Sequence, residues 1–457
     1  MYNRERRNKD FKQLNKIAGP LIIQNIACML IGMVDEIFVG HISPEAYAGV
    51  GLSVSLLNFI AGVFGYFAIA FNISGARKLG EKNEEEFRTL LVTSLLIDIV
   101  VGGIFAGVMI VFSRIIFHYA YGLSGIALKE TVKYTLITCP CLLVQMIIFT
   151  MNSYFKILKR TNKIMVVSIG SALINVGLDY VLIYGKAGFP ELGVVGAAIA
   201  TLISVSLNAV ILLVFARHDI RFIASSIRVY VQRAKGLIKE SIPLIGEELL
   251  EGSVFVVGIN MIVSNMGILH AGGYILTKNL LELVMISMYM YGNAALTIAS
   301  ERYGERKLED IRPLAGMGIL ISMVIYLALG TLMVVFRNQV PKIITDDKQL
   351  ISFAAVIILP MVLANLFNPI QTIYKYILQA CDDAKFVLYT TAAVNLASFV
   401  LMLCLQSLLE MFAVFVCLLL NYAVITAIYS DRIRKISEKT DEQQVESELV
   451  PLQQSET

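Results

Sequence analysis

Ten ionisable side chains lie within long apolar stretches of this chain: Asp35, Glu36, Asp98, Asp179, Glu247, Glu248, Glu251, Lys278, Glu282 and Lys375. Placing such a group in hydrocarbon costs at least about 2.5–3.5 kcal/mol on insertion scales, which makes each a candidate for function. Asn175 stands one turn before Asp179 and shares its helix face. With Asp35, Thr201 and Tyr134 these residues supply two carboxylates, an amide and two hydroxyls. Such a set could bind a monovalent cation or exchange a proton, because two like charges in a dry site call for a counter-charge. The alternative is a pair of acids hydrogen-bonded for packing.

A second group follows. Glu247 and Glu251 are four residues apart with Glu248 beside them, and Lys278 and Glu282 are also four apart. Lys278 is expected to neutralise part of this acidic cluster, leaving one carboxylate to titrate or to attract a cationic substrate. A static Lys278–Glu282 ion pair is the other reading. Glu36 points about 100° away from Asp35 on a 3.6-residue helix and reads as a boundary residue. Asp98 has no evident partner in the sequence.

The missing motifs narrow the chemistry. There is no GxxxxGK[ST] phosphate loop. The four histidines (His41, His118, His218 and His270) form no HExxH pair, and the six cysteines lack metal-ligand or disulfide-framework spacing. Neither a catalytic residue, a metal site nor a cofactor is expected. A net charge of +3 without a basic block gives nucleic-acid binding no support.

Long helices must hold these groups. The 457 residues are 57% hydrophobic and 16% charged, with mean hydropathy +0.72. Soluble domains carry about 45–50% apolar and about 25% charged residues, so the fitting solvent is a bilayer. Stretches of about 20 apolar residues divide the chain into twelve expected spans. They run over 17–40, 46–74, 88–114, 128–157, 162–185, 192–216, 238–266, 271–299, 310–336, 349–379, 384–407 and 409–430. At about 1.5 Å per residue, Asp35 lies roughly 27 Å along the first span, Asp179 roughly 24 Å along the fifth, and Glu251 roughly 16 Å into the seventh.

Alternate loops hold 29 and 7 Lys plus Arg residues, the richer set beginning with the amino terminus. By the positive-inside rule both termini of a multi-pass protein of the cytoplasmic membrane are then cytoplasmic. The chain also repeats itself. ARKLGEKNEEEFR (Ala76 to Arg88) parallels SERYGERKLEDIR (Ser300 to Arg312) at an offset of 224, and Pro20 and Pro243 are 223 apart. Pro140 and Pro360, Tyr154 and Tyr374, and Asn175 and Asn395 are each 220 apart. Six spans separate the copies, so the halves share one orientation about an axis along the membrane normal.

The expected fold is therefore an all-α membrane protein of twelve transmembrane helices in two pseudo-symmetric six-helix lobes. A basic amino terminus (1–16) precedes a first lobe (17–216), a linker (217–237), a second lobe (238–430) and a disordered tail (431–457). The linker alternates basic and apolar residues, as an interfacial amphipathic helix does, and an ordinary basic loop is the plainer alternative.

Pro20 followed by MVDEIFVG (Met33 to Gly40), NVGLDYVLIYG (Asn175 to Gly185), GVVGAAIATLIS (Gly193 to Ser204) and the loop ending LGEKNEEEFR together resemble the MATE multidrug and toxic compound extrusion transporters, bacterial type. The resemblance covers about residues 15–430. It implies two six-helix lobes around a central cavity and export of cationic or amphipathic compounds against inward H⁺ or Na⁺ flow. By motif position, Asp35, Asn175, Asp179 and Thr201 match a first-lobe cation or proton site, with Tyr134 a looser match. Glu251, eight residues after Pro243, matches a second-lobe acidic position of one branch. That branch has a further acid where this chain reads FNPIQ (Phe367 to Gln371), so Asn368 replaces it and the first lobe is favoured for coupling. Small organic cations or amphipathic compounds and membrane lipids are the expected partners, and a monomer is expected. A lipid-linked saccharide flippase of the same superfamily is the alternative, disfavoured because the intramembrane charges are mostly acidic.

Overall fold

In the computed structural model, which describes residues 4–220 and 227–454, every regular element among the described residues is helical. The elements are α1 (Arg4–Gly40), α2 (Pro44–Phe64), α3 (Tyr66–Gly80), α4 (Glu84–Ile115), α5 (Gly125–Thr138), α6 (Pro140–Ile157), α7 (Thr161–Ile183), α8 (Val194–Phe215) and the short α9 (Arg217–Ile220). Then come α10 (Ile227–Glu248), a π-helical stretch (Leu249–Phe255), α11 (Val256–Asn265), α12 (Ile268–Gly304), α13 (Ile311–Val335), α14 (Lys348–Ala364), α15 (Asn368–Ala380), α16 (Ala384–Leu409) and α17 (Met411–Gln454).

Among the described residues ten helical segments are long and apolar enough to cross a membrane, and α14 with α15, bent by 42° at a short break, makes an eleventh. The remaining expected span, 238–266, is divided among the end of α10, the π-helical stretch and α11. The outer surface fits a lipid solvent. Ile23, Leu30 and Ile37, spaced seven apart on one face of α1, are 56%, 59% and 55% exposed. Internal backbone pairing leaves such helices free to show apolar side chains to lipid.

The chain forms two compact units, Pro20–Ser241 and Met1–Gly19 with Ile242–Thr457. This division differs from the boundaries expected at 17, 217 and 238. It falls beside Pro20 and Pro243, which lie inside α1 and α10, where a missing N–H and a ring clash weaken the helix ladder. Polar contacts tie the segments before these prolines to their units. In the carboxy-terminal unit Asp10 pairs with Arg302, Arg6 with Asp310 at 3.0 Å, and the Tyr291 hydroxyl donates to Asn15 at 2.5 Å. In the amino-terminal unit Arg233 meets Glu86 at 2.7 Å, Arg88 meets Asp219 at 3.0 Å, and Ser74 bonds Glu240. The expected linker is thus largely built into a unit as α9 and the start of α10, while its residues 221–226 lie outside the described residues.

The tail differs from expectation as well. Helix α17 carries on through residue 454. Asp431 pairs with Arg434 at 3.4 Å and with Lys435 at 2.5 Å, and Arg434 pairs with Glu438 at 3.5 Å. Charge pairs at these spacings support a helix where apolar periodicity is absent. Residues 1–3 of the basic amino terminus and 455–457 of the tail lie outside the described residues.

The repeat is written into the backbone. Six described non-glycine residues have positive φ, and they form three pairs at separations of 223 or 224. Lys82 (60°) matches Arg306 (59°), Lys159 (56°) matches Asp382 (70°), and Ala187 (55°) matches Glu410 (48°). Each follows the end of a helix, where a left-handed residue lets the chain turn away. Residue type differs within every pair, so the shared constraint is the path of the chain.

Within the amino-terminal unit α7 packs on α8, α4 on α6, and α2 on α5. A Cβ on Gly196 of α8 would lie 2.6 Å from the Leu182 carbonyl oxygen of α7. Glycine permits this approach of two helix backbones, as small residues do between membrane helices. In the carboxy-terminal unit α12 packs against α13, α14 and α15, and α16 against α17. Its core includes Leu280, Met288, Tyr326, Ile358, Met402 and Phe415.

Candidate functional site

Four helices of the amino-terminal unit bring the first set of candidates together. Asp35 comes from α1, Tyr134 from α5, Asn175 and Asp179 from α7, and Thr201 from α8. Asn175 Nδ2 donates to Asp179 Oδ2 at 3.1 Å, as their one-turn spacing requires. The Asp35 and Asp179 side chains meet directly. Thr201 Oγ1 donates its proton to the Ala197 carbonyl at 3.0 Å. Its lone pairs remain to accept from the Tyr134 hydroxyl, which bonds with it. Asp179 and Tyr134 are only 2% and 4% exposed.

Each carboxyl also has an uncommitted acceptor. Asp35 Oδ1 and Asp179 Oδ1 are buried and have no hydrogen-bond partner. Buried oxygens in native proteins nearly always find one, and two such atoms on facing acids could take up a proton or a small cation. The tight α7–α8 contact at Gly196 sets where Thr201 stands relative to Asp179.

The neighbouring acids behave differently. Glu36 is exposed. Asp98 is fully buried in α4 and hydrogen-bonds Thr150 of α6, whose hydroxyl lies 3.0 Å from that of Ser94. This joins the α4–α6 packing contact to a polar cluster away from the first set.

In the carboxy-terminal unit the structure corrects the assignment of partners. Lys278 does not neutralise the acidic cluster: it sits 3.9 Å from Glu282 in its own helix, one turn away. The cation on Glu247 and Glu251 is Lys375 of α15, whose Nζ donates to Glu247 Oε1 at 3.0 Å and to Glu251 Oε2 at 2.9 Å. Gln371, one turn before Lys375, hydrogen-bonds Glu251 as well. Glu248 is half-buried beside this group, with its carboxylate near Gly252.

Two irregularities place this second cluster. Glu251 lies on the π-helical stretch, a local widening frequent at functional positions. Lys375 and Gln371 follow the break between α14 and α15, which amide side chains fill. Asn365 Nδ2 donates to the Met361 carbonyl at 3.0 Å, Asn368 Nδ2 to Asn365 Oδ1 at 3.1 Å, and Gln371 Nε2 to Asn368 Oδ1 at 3.0 Å. Asn368, standing where an acid would be in one branch of the family, is thus a link in this amide chain.

Lys375 and Gln371 are the residues whose part sequence reasoning missed. A usable signal was present: Lys375 is an intramembrane lysine with no acid three or four residues away in its helix, so its counter-charge had to come from another helix.

The MatE family model matches residues 20–181 and again residues 243–404, so one family pattern covers both halves of the repeat. A relative from Thermotoga maritima named probable multidrug resistance protein NorM is 26% identical over 362 residues, covering 78% of this chain and 76% of that protein. The Bacillus subtilis protein named uncharacterized transporter YisQ is 22% identical, covering 82% of this chain and 83% of its own length. Among solved structures, a crystal structure of MATE in complex with MaL6 superposes with a TM-score of 0.84 at 18% identity, covering 94% of this chain and 97% of that one. Fold and repeat together define an all-α, multi-pass membrane transporter. The chain belongs to the MatE family.

Proposed function

We propose that this transporter is a cation-coupled multidrug exporter, with Asp35 and Asp179 as its coupling pair. The meeting of these two side chains is the observation that carries the reading. Two carboxyl groups in contact within a membrane need a counter-charge, either a proton or a monovalent cation. Asn175 orients one oxygen of Asp179, and the Tyr134–Thr201 pair closes the site with hydroxyls. The name of the Thermotoga maritima relative, probable multidrug resistance protein NorM, supports drugs as cargo, and small organic cations or amphipathic compounds are the class we propose.

Transport follows by alternating access. A proton or Na⁺ on the pair stabilises one conformation and cargo stabilises the other, each through its difference in affinity for the two. The coupling free energy between them is reciprocal. No cofactor takes part, and the protein works as a monomer in the cytoplasmic membrane. The strong Lys and Arg bias of alternate loops supports cytoplasmic termini.

The test is efflux of a fluorescent organic cation from proteoliposomes under separately imposed proton and sodium gradients. One gradient is expected to drive efflux by the wild-type protein, and Asp35→Asn and Asp179→Asn are expected to lose it. Equal efflux by both variants would remove the pair from coupling. Absence of gradient-driven efflux for every cation tried would bring the flippase reading forward.

A further inference from the structure

The carboxy-terminal cluster has the make-up of an ion site whose ion is part of the chain. Glu247 is 1% exposed, and Lys375 is 8% exposed. One ammonium lies 3.0 and 2.9 Å from oxygens of two carboxylates on adjoining turns, and the amide of Gln371 completes the surroundings of Glu251. Glu247 Oε2 is buried and has no hydrogen-bond partner.

Carboxylate oxygens converging on one positive centre are a donor set that hard cations select. We propose that Glu247 and Glu251 form a monovalent-cation site, braced by Gln371, that Lys375 fills with its own ammonium group, so that free alkali ions are excluded from it. The ammonium satisfies both glutamates with charge-assisted hydrogen bonds. A free ion must displace a group that the α15 backbone holds in place and that finds no equal partner elsewhere in a dry interior. Lys375 therefore determines the ion specificity of this unit. This inference stands on the carboxy-terminal cluster alone, and its test reads ion binding, which is separate from transport.

Equilibrium binding of ²²Na⁺ to the purified full-length protein decides it. In the wild-type background, Glu251→Gln is expected to leave the Na⁺ stoichiometry unchanged. Lys375→Met, checked as a monodisperse species, is expected to gain one Na⁺ per chain, and adding Glu251→Gln to it is expected to remove that ion. Lys375→Arg keeps the charge and is expected to gain none. A folded Lys375→Met protein without the extra Na⁺ overturns the proposal. So does loss of one Na⁺ when Glu251→Gln is made in the wild-type protein, a comparison that decides the matter even where Lys375→Met fails to fold.

Discussion

A Cβ placed on Gly258 would lie 2.6 Å from the Phe399 ring, and these two residues are the repeat counterparts of Asp35 and Asp179. Gly258 follows Asp35 at the 223-residue offset of the two helix prolines, and Phe399 follows Asp179 at the 220-residue offset of Asn175 and Asn395. The same two positions therefore touch in both units. In one unit they hold facing carboxyl groups, and in the other an aromatic ring closes over a glycine. Asn395, the counterpart of Asn175, accepts a hydrogen bond from Asn421 at 2.9 Å instead of serving an acid. The two units share a backbone plan and differ in what they can bind.

The glycine is there because the ring is. Gly258→Ala is expected to lower the melting temperature, since overpacking a filled contact costs about 1–3 kcal/mol. Pairing it with Phe399→Leu is expected to recover part of the loss. Thermal unfolding of the single and double variants measures both effects, and purely additive losses would contradict the contact.

Asn175→Ala removes the donor held 3.1 Å from Asp179. A hydrogen bond to a charged group contributes about 1.5–3 kcal/mol and favours the ionised carboxylate, so where a proton is the coupling ion its affinity for the pair is expected to rise about tenfold or more. Titrating efflux rate against the driving ion would show this as a shifted midpoint at similar maximal rate. An unchanged midpoint would separate Asn175 from the site.

The two intramembrane lysines are expected to differ sharply in stability. Removing one partner of a buried ion pair costs about 3–5 kcal/mol, so Lys375→Met is expected to destabilise the protein strongly. Lys278→Met removes only a same-helix pair 3.9 Å apart, of a kind that contributes roughly 0.2–0.5 kcal/mol. Melting temperatures in detergent compare them directly, and equal losses would count against the assignment of Lys375 as the partner of Glu247 and Glu251.

Gly196→Ala places a methyl group 2.6 Å from a backbone carbonyl of α7, an atom that cannot rotate aside. Helices α7 and α8 must then separate, shifting Thr201 away from Tyr134 and Asp179. The expected outcome is a less stable protein with coupled efflux reduced more than its membrane level, as read by efflux normalised to protein in the vesicles.

Much of this was legible along the chain. Runs of about 20 apolar residues announce membrane helices because unpaired backbone groups are untenable in lipid, and the paired motifs disclose the repeat without any coordinates. Asp35 and Asp179 stood out because a charge in hydrocarbon is too costly to keep without use, and Asn175 could be joined to Asp179 because residues one turn apart share a helix face. Those rules reach along one helix and no further. They offered the Lys278–Glu282 pair only as an alternative to placing Lys278 on the acidic cluster, and could not bring Lys375 to Glu247 and Glu251, which lie 128 and 124 residues away. Nor could they show that α1 and α10 each divide between two units at a proline, or that a ring fills the second unit's counterpart of the acid pair. Which helix faces meet depends on side-chain shape across many helices at once, and the tertiary structure alone decided it.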